Sequence, residues 1–187
     1  MAMHLLSRFL YKKGLTALAG GFFLMGFANA AYAQDTVELK SSAFAPGGAI
    51  PRQYSCEGED YSPPLSWTGI PHSARSLVLI VDDPDAPVGT WVHWVVYNLP
   101  AELRKLDENV DKGPTIAGGG LQGRNDFRRY GYGGPCPPPG PTHHYHFRLY
   151  ALDTSLNLKS GATAAELRKA MEGHIVASAD LVGTYRR

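Results

Sequence analysis

The chain has 187 residues, 44% of them hydrophobic, with 18 Lys plus Arg against 17 Asp plus Glu. So even a balance, with no basic stripe, excludes the electrostatic footprint of a nucleic-acid binder. The length suits one buried core rather than several.

Residues 1–33 read as a secretory signal peptide. Arg8, Lys12 and Lys13 supply the positive start, GLTALAGGFFLMGFANA the apolar middle, and AYA ending at Ala33 the small-residue cleavage site, with Ala30 as a second cut point. A membrane anchor is the alternative, but the apolar stretch is broken by glycines and short for a span. The expected product is exported, periplasmic or secreted: a single domain over 34–187 with no stable membrane span after cleavage. It carries 15 basic and 17 acidic side chains, a net charge of −2. Its two cysteines, Cys56 and Cys136, could form one disulfide in an oxidising compartment; two buried thiols are the alternative. There is no CxxC and no Cys/His zinc spacing, so no metal or other cofactor is expected.

In chain order, TVELKSSAF (36–44) reads as an opening strand, followed by a long Gly/Pro/Ser-rich loop with room for one short strand in it. SLVLIVDDPDAP (76–87) is a near-continuous apolar run ended by carboxylates and prolines, the pattern of a strand buried on both faces and stopping at Asp82 or Asp83. TWVHWVVYNLP (90–100) is a second β-branched and aromatic run, expected beside the first. Residues 101–140 form an excursion of loops and short strands in which Phe127, Tyr130 and Tyr132 recur, and HHYHFRLYALD then resumes strand character. TAAELRKAMEG has Thr163 as N-cap, Glu166 as its capping-box partner and Gly173 as the stop; IVASADLVG is expected to be a second short helix. Strands first and helices last predict a mainly β, antiparallel domain with C-terminal helices.

Three groups carry chemistry at strand ends: Asp83 with Asp85, His93, and His143 with Tyr145. Side chains two apart on a strand share a face, so His143 and Tyr145 point with Phe147, Leu149 and Ala151, while His144, His146 and Arg148 point the other way. The same rule puts His93 with Trp91, Val95 and Tyr97. A histidine on an apolar face is more often a satisfied core residue than a working one. Company changes that reading, because a carboxylate closing a buried strand needs donors and an imidazole N–H supplies one. If Asp83, His93 and His143 converge, they make a small polar pocket in an apolar rim. Pro84, Pro87, Pro135 and Pro137 to Pro139 would stiffen its walls, and Gly133 and Gly134 would let backbone amides approach an anion. GGGLQG (118–123) matches GxGxxG but follows no strand and opens no helix, and no GxSxG, HExxH or Walker sequence occurs.

DPDAP, the WVHW strand and GPCPPPGPTHHYHF closely resemble the phosphatidylethanolamine-binding protein family. CEGEDYSPPLSW, HWVVYNLP, GYGGPCPPPG and LYALD resemble its bacterial Raf-kinase-inhibitor-like branch, of YbhB/YbcL type. The resemblance runs from about Val37 to the C-terminus. It implies an antiparallel β-sandwich of two sheets with short C-terminal α-helices and a small anion pocket at one end. Its pocket residues fall here on Asp83, His93, His143 and Tyr145, with Asp85 beside them and Gly134 and Pro135 in the loop wall; no motif carries Tyr185 over. A Cys56–Cys136 bond would tie that wall to the CEGEDYSPPLSW loop. The function expected is non-enzymatic binding of a small anion or phospholipid head group. Inhibition of a protease or kinase through surface contacts is the first alternative, and an Asp/His-dependent hydrolase the second.

Overall fold

The computed structural model describes residues 36–187; the signal-peptide expectation, on residues 1–33, lies outside the described residues. In chain order the strands are β1 (Glu38–Ser41), β2 (Leu65–Thr68), β3 (Ser76–Asp83), β4 (Trp91–Pro100), β5 (Lys105–Leu106), β6 (Leu121–Gln122), β7 (His143–Leu152) and β8 (Ile175–Tyr185), with helix α1 (Ala164–Met171) before the last. They form two antiparallel sheets, one ordered β1-β2-β5 and one ordered β6-β4-β3-β7-β8.

β3 is buried at all of its positions because it lies inside the larger sheet with cover on both faces. Leu77, Leu79 and Val81 face the core between the sheets, together with Trp67 of β2 and Phe147 of β7. Val78 and Ile80 face a second apolar layer with Leu167 and Met171 of α1. That helix starts where the sequence predicts: Thr163 Oγ1 accepts from the Glu166 amide at 3.3 Å, and the Glu166 carboxylate accepts from the Thr163 amide at 2.8 Å. Gly173, at φ +79°, turns the chain out of it.

The segment IVASADLVG is not a second helix; it belongs to β8, which pairs with β7 from His143↔Tyr185 to Leu152↔Ile175. Ala177, Ala179 and Leu181 recur every two residues and pack on the inter-sheet core. So short an apolar window fits either period, and pairing with the β7 edge decides it.

The β3–β4 ladder slips twice. One slip lies between Leu77 and Leu79, opposite Asn98, which takes φ +54°. In the other, Val81 pairs with Trp94 and Asp82 with Val92, which leaves His93 as an extra residue in a β-bulge.

Candidate functional site

Asp83, the last residue of β3, is 3% exposed and sits where the chain leaves the sheet. Its Oδ1 accepts from the Asp85 amide at 2.8 Å, closing the DPDAP turn, and its Oδ2 lies 2.7 Å from His143 Nδ1. The imidazole is the donor that a carboxylate in this place requires.

His93 reaches the same spot through the bulge. Simple alternation pairs it with Val95 and Tyr97, but those two face the helix layer, whereas the His93 ring stands edge-on to Tyr145 at 5.1 Å. The extra residue turns His93 to the Tyr145 side, a common use of bulges beside functional sites. Trp91 stays with His93, as expected, and lines the same cavity. His93 Nδ1 lies 2.6 Å from the carbonyl of Gly133, whose own amide donates back to the His93 carbonyl at 2.9 Å. A carbonyl can only accept, so Nδ1 carries the hydrogen. Burial, outweighing the Gly133 carbonyl and the Asp83 carboxylate, pushes the His93 imidazole below its usual pKa.

His143 and Tyr145 open β7 on its core face, and His144 and His146 lie on the opposite face, as alternation predicts. Tyr145 is 1% exposed, and its phenol is pushed far above its ordinary pKa by burial, with Asp83 adding to the shift. Its hydroxyl and the Trp91 indole N–H are the two buried side-chain polar groups with no hydrogen-bond partner among the described residues. Both residues line one cavity of about 220 Å³. Each such orphan costs roughly 1–3 kcal/mol unless a ligand or water completes it.

The cavity has a polar floor of Asp83, His93, His143 and Tyr145 below a collar that includes Pro87, Val88, Phe127 and Pro137. Val88 is 80% exposed at the tip of the DPDAP turn. Phe127 is set by Asn125, whose Nδ2 donates to the Gly131 carbonyl at 2.9 Å and whose Oδ1 accepts from the Arg129 amide at 3.2 Å. The Phe127 ring then packs edge-on to Trp91 and to His93, at 5.4 Å in each case.

Three expected site residues lie beside the cavity rather than in its lining. Asp85 accepts from the backbone amide of His144 at 2.9 Å and lies 2.8 Å from its Nδ1, bonds that hold its pKa below the ordinary value. Gly134 donates its amide to Asp60 Oδ1 at 2.6 Å and packs so close to the Tyr54 carbonyl that no Cβ fits. Pro135 gives its carbonyl to the Cys56 amide at 3.0 Å. The Gly133 and Gly134 amides are therefore both committed to the protein, and neither reaches toward an anion. The wall itself is Cys136, Pro137 and Pro138, and Cys136 is bonded to Cys56 across 80 residues. Tyr185 pairs with His143 across the β7–β8 ladder, but its hydroxyl is held by Ser55 and Glu57, at 2.8 and 2.6 Å.

Trp91 and Phe127 are the aromatic lining residues that the sequence did not mark as pocket residues. Trp91 stands two before His93, and Phe127 is one of the aromatics recurring through 101–140. Among the described residues no three His, Cys, Asp or Glu side chains gather as metal ligands, and no helix is long and apolar enough to cross a membrane.

The sequence profile of the family described as phosphatidylethanolamine-binding protein matches residues 40–186. A UPF0098 protein of Methanothermobacter thermautotrophicus is 52% identical over 151 residues, covering 81% of this chain and 99% of its own length. Another, of Pyrococcus abyssi, is 53% identical over 150 residues, covering 79% and 84%. A solved phosphatidylethanolamine-binding protein homologue from Chlamydia trachomatis, CT736, aligns with a TM-score of 0.75 at 44% identity, over 82% of this chain and 99% of that one. Escherichia coli YbcL, described as a member of the mammalian PEBP family, aligns with a TM-score of 0.76 at 33% identity, over 81% and 98%.

Proposed function

We propose, for a chain that belongs to the phosphatidylethanolamine-binding protein family, that the cavity floored by Asp83, His93, His143 and Tyr145 binds a small anionic group, phosphate- or carboxylate-bearing. The observation that carries this reading is the pair of donors without a partner among the described residues, Tyr145 Oη–H and Trp91 Nε1–H, both on residues lining the same cavity. Two buried donors without partners are an unstable arrangement that an anion completes. His143, held by Asp83, and His93, held by Gly133, add an N–H from Nε2 once either ring is protonated. At about 220 Å³ the cavity is smaller than the roughly 300–1,000 Å³ of sites for drug-sized ligands, so it suits a head group and leaves acyl chains outside.

The reading is of a binding protein rather than an enzyme. Asp83 and His143 make a carboxylate–imidazole pair, but among the lining residues no serine, threonine or free thiol stands beside it as a nucleophile. Export is part of the reading. The Cys56–Cys136 disulfide is of the kind that an oxidising compartment preserves, and a mature N-terminus at Gln34 found by mass spectrometry of the exported fraction would support it.

The test is calorimetric titration with phosphate, phosphoethanolamine and acetate at two pH values, on the natural protein and on His143→Asn, whose amide still donates toward Asp83. Binding that strengthens at the lower pH and falls at least tenfold in the variant, about 1.4 kcal/mol, is the expected result. Absence of binding to all three would overturn it.

A further inference from the structure

The disulfide between Cys56 and Cys136 spans 80 residues, and both of its half-cystines are exposed. The loops it joins, around 52–61 and 132–136, do not depend on it alone. The Cys56 amide donates to the Pro135 carbonyl at 3.0 Å, Tyr132 Oη donates to the Tyr54 carbonyl at 3.0 Å, and the Gly134 amide donates to Asp60 Oδ1 at 2.6 Å. These bonds flank the two sulfurs on either side. They keep the thiols close together once the bond opens, so reclosure runs as an intramolecular reaction at high effective concentration.

The two sulfurs differ in their electrostatic surroundings. Arg187 brings Nη1 to 4.0 Å from Cys136 Sγ and donates to the Pro137 carbonyl at 3.4 Å, which fixes its guanidinium beside that sulfur. The segment around Cys136, GGPCPPPGPT (133–142), carries no charged side chain of its own. Cys56 instead opens the run CEGED. Glu57 pairs with Arg187 at 3.6 Å and accepts from the Tyr185 hydroxyl at 2.6 Å, Asp60 is answered by Lys112 and Arg129, and Glu59 has no ion pair among the described residues. A cation beside a sulfur lowers the pKa of its thiol and makes it the better leaving group, whereas carboxylates act the other way.

We infer that the Cys56–Cys136 bond is a site of thiol–disulfide exchange in the folded protein, attacked at Cys56 by a small thiol, with Cys136 as the leaving thiolate. The incoming thiolate bonds to Cys56 Sγ, the Sγ–Sγ bond breaks, and its electron pair leaves on Cys136 beside Arg187. The small thiol is thereby oxidised to a mixed disulfide on Cys56, and Cys136 is reduced. Return attack by Cys136 on Cys56 expels the small thiol and restores the bond. Cys136 stands in the cavity wall with Pro137 and Pro138, so the exchange opens and closes one tie of that wall. No ligand in the cavity takes part, and the exchange and the anion-binding reading stand or fall separately.

The test treats the purified protein with 2-mercaptoethanol at about pH 8, near the ordinary thiol pKa, quenches samples with acid, alkylates free thiols and weighs the Cys56 and Cys136 peptides by mass spectrometry. The opening rate should rise in proportion to thiol concentration and change less than about twofold between zero and about 1 M urea. Opening that waits for global unfolding would instead speed up at least about fivefold over that interval. The mercaptoethanol adduct should sit on Cys56 and the alkyl group on Cys136. Arg187→Gln should slow opening about two- to fivefold, the effect of one partly exposed charge, and Arg187→Lys should recover most of the rate. If those variants do not fold, the urea dependence and the position of the adduct on the natural protein decide alone. A bond that the thiol leaves intact, a rate with the steep urea dependence of unfolding, or an adduct on Cys136 overturns the assignment.

Discussion

Asp82 and Asp83 are neighbours on one strand, both almost fully buried, and they end in opposite kinds of environment. One oxygen of Asp82 accepts from Arg148 and the other from Arg168 at 2.8 Å. Arg148 continues to Asp180 at 3.9 Å, and Asp180 lies 2.8 Å from His146 Nδ1. That face of the sheet is closed, with every charge answered by another. On the opposite face Asp83 fixes one side of His143, Gly133 fixes one side of His93, and the outer nitrogens, the Tyr145 hydroxyl and the Trp91 N–H have no partners among the described residues. The difference separates a charge network that holds β3, β7 and α1 together from one that holds polar groups ready at a cost in stability.

Four perturbations separate the two faces experimentally. Replacing Cys56 and Cys136 by serine removes a crosslink across 80 residues, worth about 4.5 kcal/mol on a chain-entropy account. Urea midpoints should fall accordingly, and phosphate binding should weaken because Cys136 lies in the pocket wall. Asp82→Ala leaves Arg148 and Arg168 without their shared partner, and it should cost about 2–3 kcal/mol, the lower side of the buried-pair range because both arginines are partly exposed. Phosphate affinity should stay within about twofold, since the closed face does not line the cavity.

Tyr145→Phe should act in the reverse sense. Affinity for phosphate should drop about tenfold while urea stability holds or rises by up to about 1 kcal/mol, because a buried hydroxyl without a partner is gone. The smallest effect is on the pH profile. Burial depresses the His93 pKa, so below about pH 6.5 the unfolded chain takes up the proton before the folded one does. The stability contributed by the neutral buried ring is full above that pH. It is lost as pH falls through the window beneath, at no more than about 1.4 kcal/mol per pH unit for one proton. Urea midpoints measured from about pH 7.5 down to about pH 5 check this, and His93→Asn should flatten the slope.

Much of the floor of the site could be read from residue order, for a simple reason. DDPDAP ends a strand with carboxylates, and HHYH alternates, so burial of one face sends His143 and Tyr145 inward and His144 and His146 outward without any other information. The capping box of α1 is likewise local, since Thr163 and Glu166 settle it between themselves. What could not be read depends on pairing. The bulge that turns His93 away from Val95 exists only because β3 and β4 slip by one residue near Asp82. The β8 segment has no period of its own strong enough to choose strand over helix until β7 offers an edge. Asp85, Gly134 and Pro135 sit within two residues of lining positions in the chain, yet their polar groups are taken by His144, Asp60 and Cys56, which are distant in sequence. Phe127 reaches the collar through a loop fixed by Asn125, and no spacing rule predicts that contact.

If, as proposed, His93 and His143 turn their outer nitrogens toward a ligand while the other imidazoles of the described residues serve the fold or the surface, long-range proton–nitrogen correlation spectra of the histidine rings during a phosphate titration will separate the two groups. His93 and His143 should be hydrogenated at Nδ1 in the free protein and their Nε2 resonances should move on phosphate addition, while His144, His146 and His174, paired with Asp85, Asp180 and Asp153, stay in place. Movement confined to those three rings, with His93 and His143 unchanged, would overturn the assignment.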